Sequence, residues 1–489
     1  MKQLLLALVA GAAAVLAFAP IAFYPLGVGC LAVLAALWLR SPPRQSFWLG
    51  FAFGMGLFGA GVSWVFVSLS VYGGMPAPLA ALATLCFCAL LSTFPAAAGW
   101  LQARIPAGDA ARATLVIPAA WTLFEWLRSW VLTGFPWLSM GYAAAGWPTQ
   151  GLAPLGGVFA ASAATAALAG LVCLFFVRPN RRWLAAAASV ALVGGTHGLR
   201  AVEWSEPSGE PITVSLLQGN IAQELKFRPE RYERIVQTYL RLAEESRARL
   251  IVLPETAIPR VLDRIDPAKI ARLRQAALDN AGDLLLGAAT QDARGDYYNS
   301  VVSLGKAAKQ VYHKRHLVPF GEFVPPAFGW VMRWLSIPMS DFSAGPADQA
   351  PLAVAGQRVA VNVCYEDAFG DQIARQARGA TLLVNASNVA WFGDSLAPPQ
   401  HLQIARLRAI ETARMVLTAT NSGVTAAIDR DGTVLARLPQ FAEGRLDIAV
   451  RGYTGGTPYM RFGDPPIVLL SLIVLAAAVS WARLAKRSR

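Results

Sequence analysis

Val359-Ala360-Val361-Asn362-Val363-Cys364-Tyr365-Glu366-Asp367 reads as an apolar strand that stops abruptly at a thiol. Cys364 is the only cysteine in a polar stretch of about 250 residues, while Cys30, Cys86, Cys88 and Cys173 all lie inside long apolar runs. A lone thiol in a water-facing domain has no disulfide partner there, so it is either a buried, inert side chain or a nucleophile. The segments around it decide between these.

The chain is 55% AVILMFWYC with only 15% charged residues, well to the apolar side of soluble domains. The apolar excess is segregated, which divides the chain into 1–205, 206–462 and 463–489. A run of about 20 apolar residues crosses a bilayer core. Candidate spans fall at roughly 3–19, 21–39, 46–69, 79–102, 112–132, 154–177 and 183–200, with another at 466–482, about eight in all. Lys2 and Ala17-Phe18-Ala19 imitate a signal peptide, but Pro20 would follow the cut and a new apolar run begins at once, so the first run reads as a span.

Basic residues set the orientation. Lys2, Arg40, Arg44, Arg104, Arg112, Arg178, Arg181 and Arg182 flank every second span, and Arg483, Lys486, Arg487 and Arg489 fall on the same face. The loops 70–78 and 133–153 contain no Lys or Arg. Both termini are expected in the cytoplasm and the polar domain outside. Much of the net charge of +13 sits in these loops, which points to membrane surfaces rather than nucleic acid. If the outside is a periplasm, that compartment is oxidising, and a solitary thiol there is a liability unless it is buried or required.

Within 206–462, strand patterns at Ile212–Leu217, Arg249–Leu253, Leu284–Ala288, Asn299–Leu304, Leu352–Val363, Thr381–Asn385, Val416–Thr420 and Val424–Asp429 alternate with helical ones at Glu230–Glu245, Pro267–Ala281, Asp371–Ala377 and His401–Arg414. This predicts an α/β sandwich with helices covering buried sheets, a fold in which chemistry gathers at strand ends. Ile251-Val252-Leu253-Pro254-Glu255 ends one strand in a carboxylate, which alone reads equally as a helix-terminal acid or an ion-pair partner. Tyr312-His313-Lys314-Arg315-His316-Leu317-Val318-Pro319-Phe320-Gly321-Glu322-Phe323 runs from basic residues straight into an apolar Pro/Gly loop, unlike a simple solvated face. A glutamate, a lysine and a cysteine on separate segments make a coherent nucleophilic set. The carboxylate accepts the thiol proton, the cation favours the thiolate and the oxyanion, and the sulfur attacks an acyl carbon. The N–H of Tyr365 is a candidate second oxyanion donor.

These segments resemble the nitrilase (carbon–nitrogen hydrolase) superfamily through Pro254-Glu255, through Tyr312-x-Lys314-x-His316-Leu317-x-Pro319-Phe320-Gly321-Glu322, and through the strand ending in Cys364. With the flanking spans the chain is similar to the membrane-bound apolipoprotein N-acyltransferase branch. That similarity continues in Gln218-Gly219-Asn220-Ile221, Cys364-Tyr365-Glu366, Ala390–Ser395, Gln400–Arg406, Thr420–Thr425, Trp126-Leu127-Arg128 and Thr133–Trp137. The resemblance implies an αββα sandwich with Glu255 as general base, Lys314 as cationic partner and Cys364 as nucleophile. It implies a supporting role for Glu322, with Tyr365 and Glu366 beside the site. Val389 departs from the acidic or polar residue expected before Ala390-Trp391.

The implied activity is acyl transfer from a membrane phospholipid to the amino terminus of a diacylglyceryl-cysteine apolipoprotein, in a bacterial inner membrane and without a cofactor. The alternatives are a membrane-tethered amidase acting on small amides or nitriles, and a non-catalytic transporter or receptor. A Cys364 dyad with His313 or His316 lacks supporting flanking sequence, and no Cys/His cluster has metal-ligand spacing. Glu125 and Arg128, three apart in the fifth span, read either as functional intramembrane charges or as a mutually neutralising pair.

Overall fold

The computed structural model describes residues 1–324 and 341–487; Arg489, counted above in the basic tail, lies outside them. The chain divides into two compact units, one of Met1–Phe66, Pro78–Glu203 and Arg461–Arg489, the other of Val67–Ala77 and Trp204–Met460.

The second unit holds two six-stranded sheets. The first runs in the order β12 (Gly444–Gly455), β1 (Ser205–Gln218), β2 (Leu250–Val252), β3 (Asp283–Gln291), β4 (Tyr297–Gly305), β5 (Val311–His313). The second runs β11 (Val434–Arg437), β10 (Ala426–Ile428), β9 (Val416–Thr420), β8 (Leu382–Ser387), β7 (Gln357–Val363), β6 (Leu352–Val354). Each sheet has a parallel centre, β1-β2-β3 in one and β7-β8-β9 in the other, with antiparallel strands outside it.

Side-chain alternation explains the layering. Val359, Val361 and Val363 meet Val214, Leu216, Leu250 and Val252 in a core between the sheets. Ala360 points the other way, onto Ile373, Ala405 and Ala409 of the helices Gly370–Gln376 and Ala397–Thr412. Ile251 and Leu253 likewise leave the inter-sheet core for the helices Pro229–Glu244 and Pro267–Leu278. The result is the αββα sandwich, with strand ends that carry Glu255, Lys314 and Cys364. Val67–Ala77, expected as a span end and a loop, belongs to this unit. Ser68 Oγ donates to the Trp391 carbonyl at 2.8 Å, and the Tyr72 and Trp391 rings meet edge to face.

The other unit is helical, and each apolar stretch of the sequence contains helix. Gly11 and Gly56 allow one close approach: a Cβ on Gly11 would lie 1.9 Å from the Phe53 carbonyl oxygen, and one on Gly56 2.0 Å from that of Leu8. Small residues let helix backbones touch where apolar burial gives no drive between them. About eight spans were expected, but among the described residues two helices are long and apolar enough to cross a membrane, Ala77–Arg104 and Pro148–Val177. Pro43–Gly61 with Val65–Tyr72 qualifies only as one broken span, and Lys2–Ala17, Tyr24–Leu39 and Pro465–Trp481 are shorter apolar helices. The apolar runs of the sequence are thus broken or shortened by turns that composition alone does not reveal.

Candidate active site

Glu255 follows β2 in a turn pinned to β3, where Leu253 N–H bonds the Leu285 carbonyl and Ala257 N–H that of Gly287, both at 2.9 Å. Gly287 permits this contact, since a Cβ there would come within 2.2 Å of the Pro254 carbonyl oxygen. Lys314 directly follows β5, its N–H bonded to the Asn299 carbonyl at 2.7 Å and its side chain 1% exposed. Its ammonium lies 3.3 Å from Glu255 Oε1 and 2.8 Å from Glu322 Oε2. Asn299, on β4, bridges the same carboxylates, its amide donating to Glu255 Oε1 at 2.7 Å and Glu322 Oε1 at 2.6 Å. Glu322 also accepts from Val318 N–H at 2.8 Å.

Cys364 directly follows β7 with φ +53°, a left-handed backbone that costs a non-glycine residue energy and is kept only where surroundings over-determine it. Its carbonyl accepts from the Asn385 amide at 2.9 Å and lies 3.3 Å from His401 Nε2, which also sits 3.0 Å from Asp367 Oδ1. The thiol lies beside Glu255, the Ser387 hydroxyl and the Asn388 N–H. That same N–H bonds Glu255 Oε2 at 2.9 Å.

Glu366 proves to be a buried staple. It accepts from Arg315 N–H at 2.8 Å, His316 N–H at 3.1 Å, Tyr312 hydroxyl at 3.0 Å and Val363 N–H at 2.7 Å. It therefore joins the lysine segment to the cysteine turn, and burial weakens it as an acid, lifting its pKa to about 6. The Tyr365 ring packs against His316 and Phe369. His313 Nδ1 faces Ser300 at 2.8 Å and His316 Nδ1 faces Gln372 at 3.3 Å, so both rings have partners other than the thiol. Val389 is buried and apolar beside Gly423. Among the described residues no group of three or more His, Cys, Asp or Glu could hold a metal ion.

Burial and the neighbouring Glu255 push the Cys364 thiol up to about 12, against the opposing pull of Lys314, Ser387 and the Asn388 N–H. Burial also raises Glu255, but Lys314, Asn299, Lys226 and the thiol outweigh it and hold the carboxyl below its ordinary range. Lys314 is raised because Glu255 and Glu322 overcome its burial. The expected lowering of the thiol by lysine is therefore present but outweighed. The resting pair is thiol and carboxylate, so any attack by this sulfur requires proton transfer. Asn299, Asn388 and His401 were not singled out by sequence reasoning. Only Asn299, at the start of an apolar strand pattern, and His401, inside the Gln400–Arg406 motif, carried any signal.

Residues 10–171 match the apolipoprotein N-acyltransferase N-terminal domain family, and 213–459 match the carbon–nitrogen hydrolase family. The apolipoprotein N-acyltransferase of Nitrosomonas europaea is 46% identical, covering 98% of this chain and 97% of the relative. The chain belongs to the apolipoprotein N-acyltransferase family. That of Ralstonia nicotianae is 45% identical over 98% of this chain and 93% of its own length, and that of Chromobacterium violaceum 44% over 98% and 94%. The chain is accordingly an enzyme with the carbon–nitrogen hydrolase fold. Similarity that extends through the helical region disfavours the tethered-amidase and non-catalytic alternatives.

Proposed function

We propose that this chain transfers a fatty acyl group from a membrane phospholipid to the N-terminal amine of a diacylglyceryl-cysteine lipoprotein through a thioester on Cys364. As Sγ bonds the ester carbon, its proton passes to Glu255. Lys314 and the Tyr365 N–H face the oxyanion. The ester C–O bond then breaks, and Glu255 returns the proton to the departing lysophospholipid oxygen. In the second step the acceptor amine attacks the thioester carbon and gives a proton to Glu255. The C–S bond breaks, the amide leaves, and that proton restores the thiol. The observation that carries this reading is the buried Glu255–Lys314–Glu322 cluster against the Cys364 thiol. Intact mass after incubation with phospholipid is the test: wild type gains a fatty acyl group that Cys364→Ala lacks. An equal adduct on the variant sinks the assignment.

The membrane arrangement belongs to the same reading: about eight spans, domains at 1–205, 206–462 and 463–489, both termini cytoplasmic and the catalytic domain periplasmic, in a bacterial inner membrane. Support comes from the loop charges and from exposed apolar side chains on the helical unit such as Phe176, Trp183, Leu469 and Ile473. A thiol tag near Arg430 should label from the periplasmic side and one after Arg489 should not; the opposite pattern overturns the orientation.

A further inference from the structure

Lys226 ends the short helix Gln223–Lys226 and is 2% exposed, nearly as deeply buried as Lys314. Its ammonium has one hydrogen-bond partner among the described residues, the Glu255 carbonyl oxygen at 3.2 Å. Two of its three N–H groups are thus left without an acceptor there. An unpaired buried ammonium is costly unless nearby charge compensates it. The compensating charges are those of the reaction itself, since Glu255 and Cys364 are the groups that act on Lys226 electrostatically. Its own segment adds Glu224 and Arg228, whose Nε bonds the Glu224 carbonyl at 3.2 Å. Beyond Glu255 stand Lys314 and Glu322.

Charge counting gives the ammonium a purpose. Glu255 and Glu322 carry two negative charges and Lys314 one positive, so the cluster alone is left with a surplus negative charge facing the thiol. The segment is also tied to the base: Gln223 Oε1 accepts from the Asn388 side-chain amide at 2.9 Å, and the Asn388 N–H holds Glu255 Oε2.

We propose that Lys226 is a positioning residue of the acyl-transfer reaction, a second buried ammonium that neutralises the Glu255–Lys314–Glu322 cluster and so eases the appearance of negative charge on Cys364. It acts through Glu255 and the thiol and does not touch the substrate. Burial lowers Lys226 to about 8, against the pull of Glu255 and of an ionised Cys364, so at rest its charge is held chiefly by Glu255. The proposal rests on Cys364 being the nucleophile.

The test is the rate of iodoacetamide labelling of Cys364 in the full-length, detergent-purified protein at and below neutral pH, where the Lys226 ammonium carries its charge, read on the Cys364 peptide by mass spectrometry. It is run on wild type, Lys226→Met, Lys226→Gln and Lys226→Arg. Loss of a nearby opposite charge should slow labelling about tenfold in Met and Gln and leave Arg near wild type. Acyl-enzyme formation at neutral pH should fall about tenfold in the first two. Gln still donates to the Glu255 carbonyl without carrying charge, so a wild-type labelling rate in Gln overturns the proposal and leaves Lys226 a loop tie only. If Met does not fold, Gln and Arg still decide: equal rates overturn the proposal, and a slowed rate in Gln alone upholds it. An acyl adduct on Cys364→Ala would instead sink the nucleophile assignment, whatever the Lys226 variants show.

Discussion

Both units bury charge, and they use it differently. In the helical unit, Glu125 and Arg128 lie on the helix Ile117–Arg128 and are both buried. The Arg128 guanidinium donates to the Phe135 carbonyl, to that of Trp137 at 2.7 Å and to Ser139 Oγ at 3.1 Å. Glu125 Oε1 accepts from Trp121 Nε1 at 2.8 Å and Met140 N–H at 2.9 Å. Both side chains bond the turn at 135–140, a structural tie that their spacing alone did not reveal. In the α/β unit, by contrast, Glu255 and Glu322 share the Lys314 ammonium as a common ion-pair partner, with the Asn299 amide and two backbone N–H groups completing their bonds. A charge tied to backbone groups fixes a loop; a charge tied to other ionisable groups can change its protonation while the fold stands.

The comparison breaks first at the thiol. Cys364→Ala should lower acyl transfer by ~10^4-fold or more, as loss of a covalent nucleophile does elsewhere, with the variant still inserted in the membrane. Turnover within tenfold of wild type would mean that the ionisable cluster serves something else. Lys314→Met follows, with a loss of about 10^2- to 10^3-fold. It leaves Glu255 and Glu322 facing each other without their cation, so a lowered unfolding temperature should accompany the loss. Raising the pH should restore little, because no hydroxide replaces an oxyanion donor.

Glu255→Gln should cost less and behave differently with pH. The thiol is protonated at neutrality, and below its pKa the thiolate fraction grows about tenfold per pH unit. The variant should therefore recover steadily as pH rises, while wild type stays flat until acid protonates Glu255 below the ordinary carboxylate range. Parallel profiles for the Gln and Met variants would show that base and cation had not been told apart. Asn299→Ala comes next, at about tenfold, since it removes a bridge between carboxylates without removing a charge.

Legibility followed distance along the chain. β2 and β7 were readable because unbroken apolar runs end there in Glu255 and Cys364. β12 was missed because Arg445, Asp447 and Arg451 interrupt its apolar positions, as suits a strand at the sheet edge. The roles of the amides were hidden for another reason. Asn299 reaches Glu255 across 44 positions and the Asn388 N–H does so across 133, and a polar residue in a strand acquires a role only when the fold delivers its partner. Glu366 was placed beside the site for its position after the thiol, yet its work is to hold backbone N–H groups on two segments.

Arg128 supplies the mildest and most discriminating outcome for the chemistry. Arg128→Gln keeps an amide donor for the 135–140 turn but removes the charge opposite Glu125. A buried acid left without its cation should cost up to about 3–5 kcal/mol of stability, so less folded protein should be recovered. The chemistry should not follow. Per folded molecule, acyl-enzyme formation should stay within about threefold of wild type and its pH profile should keep the same midpoints, because Arg128 bonds a turn rather than a titrating partner. Quantifying the acyl adduct by intact mass against the folded fraction separates the two effects. A shifted midpoint in Arg128→Gln would show that charge in the helical unit also takes part in the proton inventory of the reaction, and the division between the two kinds of buried charge would fail.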